Sequence, residues 1–453
     1  MTSGTVTAEA TSLFPRFLDL EYPEIARGEG LWLETSDGRR ILDASSGGAM
    51  VSSLGHGVPE AVAAAAGQAE RLAYFYNHHF TNEPQERLAD RLLQLAAPEM
   101  ARVRLVSGGS EANETALQLA RLYHVERGET ERWRVISPAQ AYHGSTMGTL
   151  ALSGRRHLQE PYTPYLAEHL HIPPSTERSD PTGEAALEEL DRLLADHADE
   201  VAAFFCEPVS AAALPGYSPP DRFWEGLAER RERHGFLVCF DEVVTGIGRT
   251  GTWLAAHQLP IEPDIVAIGK GIAAGYAPLG AVLCRQHVYD ALDRGSKEFD
   301  LGHTWDGAPL SSAVGLAVIE LIAGRGLVDR VQELGPKLLE DLRSAVADRP
   351  IVGAVRGRGF LLGVELVDPR DRSSFLPVEV DAAALVDDTA FEHGLLVTST
   401  HPQADGFAGD QVLLAPAFTA TEDDLAEMVE RLGSTLEHVE RLVLEALRGN
   451  GRS

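Results

Sequence analysis

Apolar and polar positions change rhythm along this chain, and each change marks a different kind of structure. Up to about residue 60 the period is two. The run Gly30-Leu-Trp-Leu-Glu-Thr-Ser-Asp-Gly-Arg-Arg-Ile-Leu-Asp43 is broken at Asp37-Gly38, which predicts a hairpin in a small antiparallel lobe. A helix is predicted near 59–72, and Leu88, Leu92, Leu93 and Leu95 give 84–97 helical periodicity. From about 100 to 285, strand-like runs at 103–106, 134–136, 201–206, 237–240 and 265–268 alternate with helical runs at 111–125, 184–197 and 222–234. This alternation predicts βαβ units and an α/β fold, with a large, mostly parallel sheet covered by helices on both faces. The Pro-, Ser-, Thr- and Asp-rich stretch 172–183 reads as a surface loop. From about 335 a helix at 336–348, strands within 359–367 and an acidic helix at 422–447 predict a C-terminal α+β lobe.

Composition narrows the function classes. The chain has 453 residues, with 39 basic and 68 acidic side chains and a formal charge of −29. That balance argues against nucleic-acid partners and against attraction to anionic membranes. Cys206, Cys239 and Cys284 each sit in an apolar run without metal-ligand spacing, so no metal site is expected and the thiols read as buried and reduced. The first residues show no basic n-region or apolar h-region, and no apolar run approaches membrane-spanning length. A cytoplasmic protein is expected. Only three lysines occur, Lys270, Lys297 and Lys337.

In open α/β sheets ligands sit beyond the carboxyl ends of the strands, so the residues there carry the candidate chemistry. After 103–106 comes Ser107-Gly-Gly-Ser-Glu-Ala-Asn-Glu114, where glycines and free helix-start N–H groups suit a phosphate; an ordinary serine N-cap would leave the same pattern. Asp241 and Glu242 end an apolar run, and a buried acid there needs either a structural salt bridge or a cationic ligand. Tyr142-His143-Gly144 and Glu207-Pro208 follow other strands. Gly246-Ile-Gly-Arg-Thr-Gly251 matches the dinucleotide pattern, but the adjacent acids would repel a pyrophosphate and no long helix opens after it. Lys270, between two glycines at the end of 265–268, has an unobstructed amine, whereas Lys297 and Lys337 lie in polar, surface-like surroundings. A nucleophilic amine, a carboxylate, an aromatic platform and a phosphate cradle are together what a protein supplies to pyridoxal phosphate.

The ordered combination of these segments with Pro278-Leu-Gly280 and Val355-Arg-Gly-Arg-Gly359 resembles the class III aminotransferases of the pyridoxal-phosphate fold-type I superfamily, over nearly the whole chain. The resemblance implies a large domain over 66–330 with a seven-stranded sheet, and a smaller α+β domain built from 1–65 and 331–453. It implies that Lys270 bonds the cofactor covalently, that Asp241 pairs with the pyridinium nitrogen, that Tyr142 and Val243 press on the two ring faces, and that Gly109 and Ser110 bind the phosphate. His143 and Glu207 fall near the cofactor, and Thr304 reaches the phosphate of the neighbouring subunit in a homodimer or a higher homo-oligomer. Met50, Tyr74, Phe80 and Arg356 are the implied substrate-pocket positions. Two departures stand out. Ala308 replaces the usual His or Asn before Pro309, and 403–408 carries no arginine where some members keep a mobile one for a substrate carboxylate. The expected activity is transfer of an amino group from an amine or ω-amino acid to a keto acid such as pyruvate. A decarboxylating transaminase or an aminomutase on the same scaffold is the enzymatic alternative, and a cofactor-binding regulator the non-enzymatic one.

Overall fold

The apolar runs assemble into a seven-stranded sheet with spatial order Met100–Val106, Gly280–Arg285, Ile265–Ile268, Leu237–Glu242, Val201–Cys206, Arg134–Pro138, Leu170–Ile172. The computed structural model describes residues 5–7, 11–97, 99–400 and 409–449. All seven strands run parallel except Gly280–Arg285, which is antiparallel to both neighbours.

Every residue of Val201–Cys206 is buried, so the strand reads as an unbroken apolar run. Successive side chains nevertheless serve opposite faces. Ala203 and Phe205 join Ala112, Ala116 and Leu119 of the helix Gly109–Glu126. Phe204 and Cys206 join Leu187, Leu190 and Leu194 of Glu184–His197 and Phe223, Trp224 and Leu227 of Asp221–His234. At roughly 1.5–3 kcal/mol for each large apolar side chain taken out of water, these two layers hold the sheet rigid. Its strand ends therefore form a fixed platform.

The two chain ends meet outside this layer. The hairpin Trp32–Thr35/Arg40–Asp43 turns at Gly38, whose φ of +89° a side chain would strain. Leu395–Leu396 adds to it in parallel, with Leu395 opposite Leu42. A separate antiparallel sheet contains Val352–Arg358, Leu361–Leu366, Gln411–Leu414 and Thr398–Thr400.

Several boundaries differ from the sequence expectation, among them the first sheet strand, which begins at Met100 and not at 103, and two of the differences matter for the site. The helix after the first sheet strand begins at Gly109, two residues before Glu111, and the strand from Leu237 runs on to Glu242. The largest difference is the helix expected at Pro336, which begins at Leu327 and carries Pro336 in its interior. Leu327, Val328, Val331, Leu338, Leu342 and Val346 form one buried stripe on that helix. Their burial outweighs the roughly 3 kcal/mol an internal proline costs. Lys337 thus stands mid-helix, paired with Glu422. The three cysteines are free and buried. Among the described residues no single helix is long and apolar enough to cross a membrane.

Candidate active site

Lys270 follows the buried strand Ile265–Ile268 after a single glycine, and its backbone has a φ of +44°, a left-handed conformation rare outside glycine. Asp241 lies on the next strand, in register with Ala267, which brings its carboxylate to the same edge as the lysine. Among the described residues the Lys270 amine has no ion pair or hydrogen bond, so no structural bridge consumes it. Burial lowers its pKa, opposed by the negative charges of Asp241 and Glu207 and reinforced by Arg249. A larger fraction of the amine is therefore free base near neutrality than in an exposed lysine.

Asp241 is held from three sides. Its Oδ2 accepts from Asn113 Nδ2 at 2.7 Å and from His143 Nδ1 at 2.9 Å, and its Oδ1 accepts from the Val243 N–H at 3.0 Å. Asn113 also donates to the His143 carbonyl at 2.7 Å, and the His143 ring meets Phe205 edge-on at 4.9 Å. The carboxylate is thereby fixed in direction while remaining 5% exposed. Asn113 escaped the sequence reading although its signal was present. It stands four residues after Gly109 on one helix, and that spacing places the two on the same face.

The backbone at Gly109 and Gly144 is packed too closely against its neighbours to carry a side chain without shifting them. A Cβ on Gly109 would fall 2.6 Å from Val243 Cγ1, and one on Gly144 would fall 2.7 Å from Thr149 Oγ1 and 2.8 Å from Ser110 Oγ. The helix opens at Gly109 with no side-chain cap, leaving its first N–H groups for an anion. Ser110 Oγ lies beside them and accepts from the Ser145 N–H at 3.2 Å. An unspent amine, a directed carboxylate and an uncapped, glycine-lined helix start fit pyridoxal phosphate.

Comparison with known proteins decides the family. The family model for class III aminotransferases matches residues 20–436. The chain belongs to the class III aminotransferases. It is 33% identical to the aminotransferase YodT of Bacillus subtilis over 94% of this chain and 97% of that protein. It is 34% identical to the diaminobutyrate–2-oxoglutarate transaminase of Halomonas elongata, over 90% and 88%. Among solved structures, a PLP-bound amine transaminase from an uncultivated Pseudomonas species superposes with a TM-score of 0.86 at 33% identity, covering 95% of this chain and 97% of that one. The protein is accordingly a pyridoxal-phosphate enzyme of fold type I that acts on an amine and a keto acid.

In this aminotransferase Glu207 lies next to the Asp241–His143 pair. Burial, then the charge of Asp241, pushes its carboxyl up to about 7, against His143 and the N–H groups of Ala211 and Tyr142. Glu207 therefore ionises near neutrality, and its charge then helps to hold the proton on Lys270. Replacing it by glutamine is expected to shift the pH at which the apoenzyme begins to take up cofactor rapidly to a lower value, because Lys270 then loses its proton sooner. Reconstitution rates measured from pH 6 to about 9 test this. An unmoved profile, or one displaced upward, would refute the coupling. The Gly109→Ala enzyme is expected to bind cofactor at least about 10-fold more weakly while folding normally, because only Val243 must yield. Equilibrium dialysis of both proteins checks it.

The remaining sequence candidates separate by place. Glu242, adjacent to Asp241, faces away and accepts from Thr245 Oγ1 and the N–H groups of Ala255 and Ala256 at 2.6–2.8 Å, a structural role. Arg249 of the dinucleotide-like segment is buried, donating to the carbonyls of Phe360 and Pro416 and to Ser46 Oγ while lying over Phe418. It ties the turn at Ser46 to the sheet layer. Met50, at φ +59° in that turn, packs with Val209, Ala211 and Leu413, with Val244 against them. Arg356 donates to the Pro215 carbonyl and pairs with Gln411 and Glu177. Tyr74, Phe80 and Thr304 are exposed in the single chain. Residues 403–408, where no arginine occurs, lie outside the described residues.

Proposed function

We propose that this enzyme transfers an amino group from an amine or ω-amino acid to a keto acid such as pyruvate, with Lys270 as covalent anchor and proton carrier. The observation that carries the reading is the unpaired amine of half-buried Lys270 at one strand end beside the triply held Asp241. Pyridoxal phosphate, when bound, supplies a carbonyl carbon for exchange of amines and a ring able to take up electrons from the substrate carbon. The protein does the rest. Lys270 Nζ removes the proton from the substrate carbon and returns it, and its lowered basicity suits both transfers. Asp241, oriented by Asn113 and His143, keeps a proton on the pyridine nitrogen. Gly109 and Ser110 take the phosphate, and Tyr142 and Val243 confine the ring.

The reading extends to a homodimer in which Thr304 of a second copy completes the phosphate site. It is supported by the exposed apolar band of Tyr74, Tyr76, Phe80, Leu301 and Trp305 around Thr304, with Tyr74 and Trp305 in edge contact at 6.1 Å. The free, buried cysteines support residence in the cytoplasm.

The test is a spectroscopic screen of the donor half-reaction against amines, ω-amino acids and α-amino acids, followed by product analysis with pyruvate. Alanine formed in proportion to donor consumed is the expected result. Carbon dioxide release, isomerisation without an acceptor, or no conversion with any donor would defeat the reading.

A further inference from the structure

A keto acid presents a carboxylate, and a carboxylate leaving water needs a charged, hydrogen-bonding partner. The cations near the site are few. Lys270 is reserved for the chemistry, Arg249 is spent on two carbonyls and a hydroxyl, and Arg356 on Pro215, Gln411 and Glu177. One arginine differs from these. Arg155 has a buried Nε with no hydrogen-bond partner, and among the described residues its guanidinium makes no ion pair.

Its place in the fold is set by a short strap. The His143 N–H donates to Ser153 Oγ at 3.0 Å, and the Gly154 N–H to the Ala141 carbonyl at 3.0 Å. Position 154 has room for glycine alone, because a Cβ there would lie 1.9 Å from the Ala139 oxygen. Gln159 closes the strap from the other side, its Nε2 donating to the carbonyls of Leu150 and Ser153. The backbone at Arg155 therefore lies against Ala141-Tyr142-His143, the segment of the aromatic platform and the Asp241 partner. The Tyr142 hydroxyl and the Glu207 carboxyl both act on the guanidinium electrostatically.

We propose that Arg155 binds the substrate carboxylate in this aminotransferase, taking the part for which residues 403–408 offer no arginine. The inference rests on the keto-acid reading above. It accounts for a partly buried cation that gives up hydration without gaining a protein acceptor, since the missing acceptor arrives with the substrate. Burial depresses the pKa of this guanidinium, and a bound carboxylate would oppose that shift. Glu207 stands in its field without forming an ion pair, which leaves the donors open.

Pyruvate carries a carboxylate beside its carbonyl, whereas propanal, an aldehyde of equal length, carries none. In the Arg155→Gln holoenzyme the ratio of kcat/KM for pyruvate to that for propanal is expected to fall about 10- to 100-fold, with Arg155→Lys in between. Titration of propionate into the same holoenzymes needs no turnover and is expected to show a similar loss of affinity. Cofactor absorbance confirms that each variant is loaded. If pyruvate and propanal lose equally, or if propionate binds Arg155→Gln as tightly as the wild type, Arg155 is not the carboxylate partner. Should wild-type enzyme fail to aminate pyruvate while propionate still discriminates Arg155→Gln, the keto-acid reading falls and the carboxylate site stands.

Discussion

Lys270→Ala is expected to lower turnover by at least about 10⁴-fold, the largest effect of any single change in this enzyme. In the proposed mechanism two functions leave with the amine, the covalent hold on the cofactor and the proton carried to and from the substrate carbon. No neighbour replaces them: Lys297 is exposed beside Asp293, and Lys337 is paired with Glu422 on a distant helix. Arg249, the other cation acting on Lys270, is held by three acceptors. The variant is expected to fold, because the amine makes no structural contact and alanine removes a buried charge. Borohydride should fix the cofactor irreversibly to the wild type but leave it removable by dialysis from the variant, which has no lysine bond to reduce. Turnover within about 100-fold of the wild type would remove Lys270 from the chemistry.

The second large effect is expected at Asp241. Asp241→Asn keeps the shape and removes the charge proposed to hold a proton on the pyridine nitrogen. A fall in kcat of about 10²- to 10³-fold is expected, the usual cost of losing one preorganised electrostatic partner. The loss should appear in kcat more than in KM, because the partner matters most once electrons have moved into the ring. The amide can turn its oxygen either to Asn113 and His143 or to the Val243 N–H, so one side of this three-donor arrangement is lost. Pre-steady-state rates of the donor half-reaction measure the effect directly. A variant with unchanged rates would show that the ring nitrogen needs no carboxylate here.

Much of the sheet was legible because its strands and helices obey their local rules. The runs 184–197, 201–206 and 265–268 coincide with elements of the structure, since buried parallel strands are uninterrupted apolar runs and the helices between them are amphipathic. The hairpin at Asp37-Gly38 was legible from turn chemistry alone. Pro336 misled because proline favours the first turn of a helix, and only packing against the rest of the molecule shows that the helix tolerates it in the interior.

At the site the division is sharper. Lysine scarcity, the glycines around Lys270 and the acid at the end of a strand narrowed the residues that could carry the chemistry, and the resemblance carried by the ordered set of motifs gave the family. Position at a strand end does not by itself separate Asp241 from Glu242; in the structure one meets Asn113 and His143 and the other turns to the backbone of Ala255 and Ala256. Sequence order also could not show that Asn113 and His143 share one carboxylate oxygen, or that Arg155 is left without an acceptor. Those facts depend on residues distant in the chain arriving within 3 Å of one another. Local propensity fixes the kind of element each residue sits on, whereas its hydrogen-bond partners are chosen only when the sheet closes and water leaves.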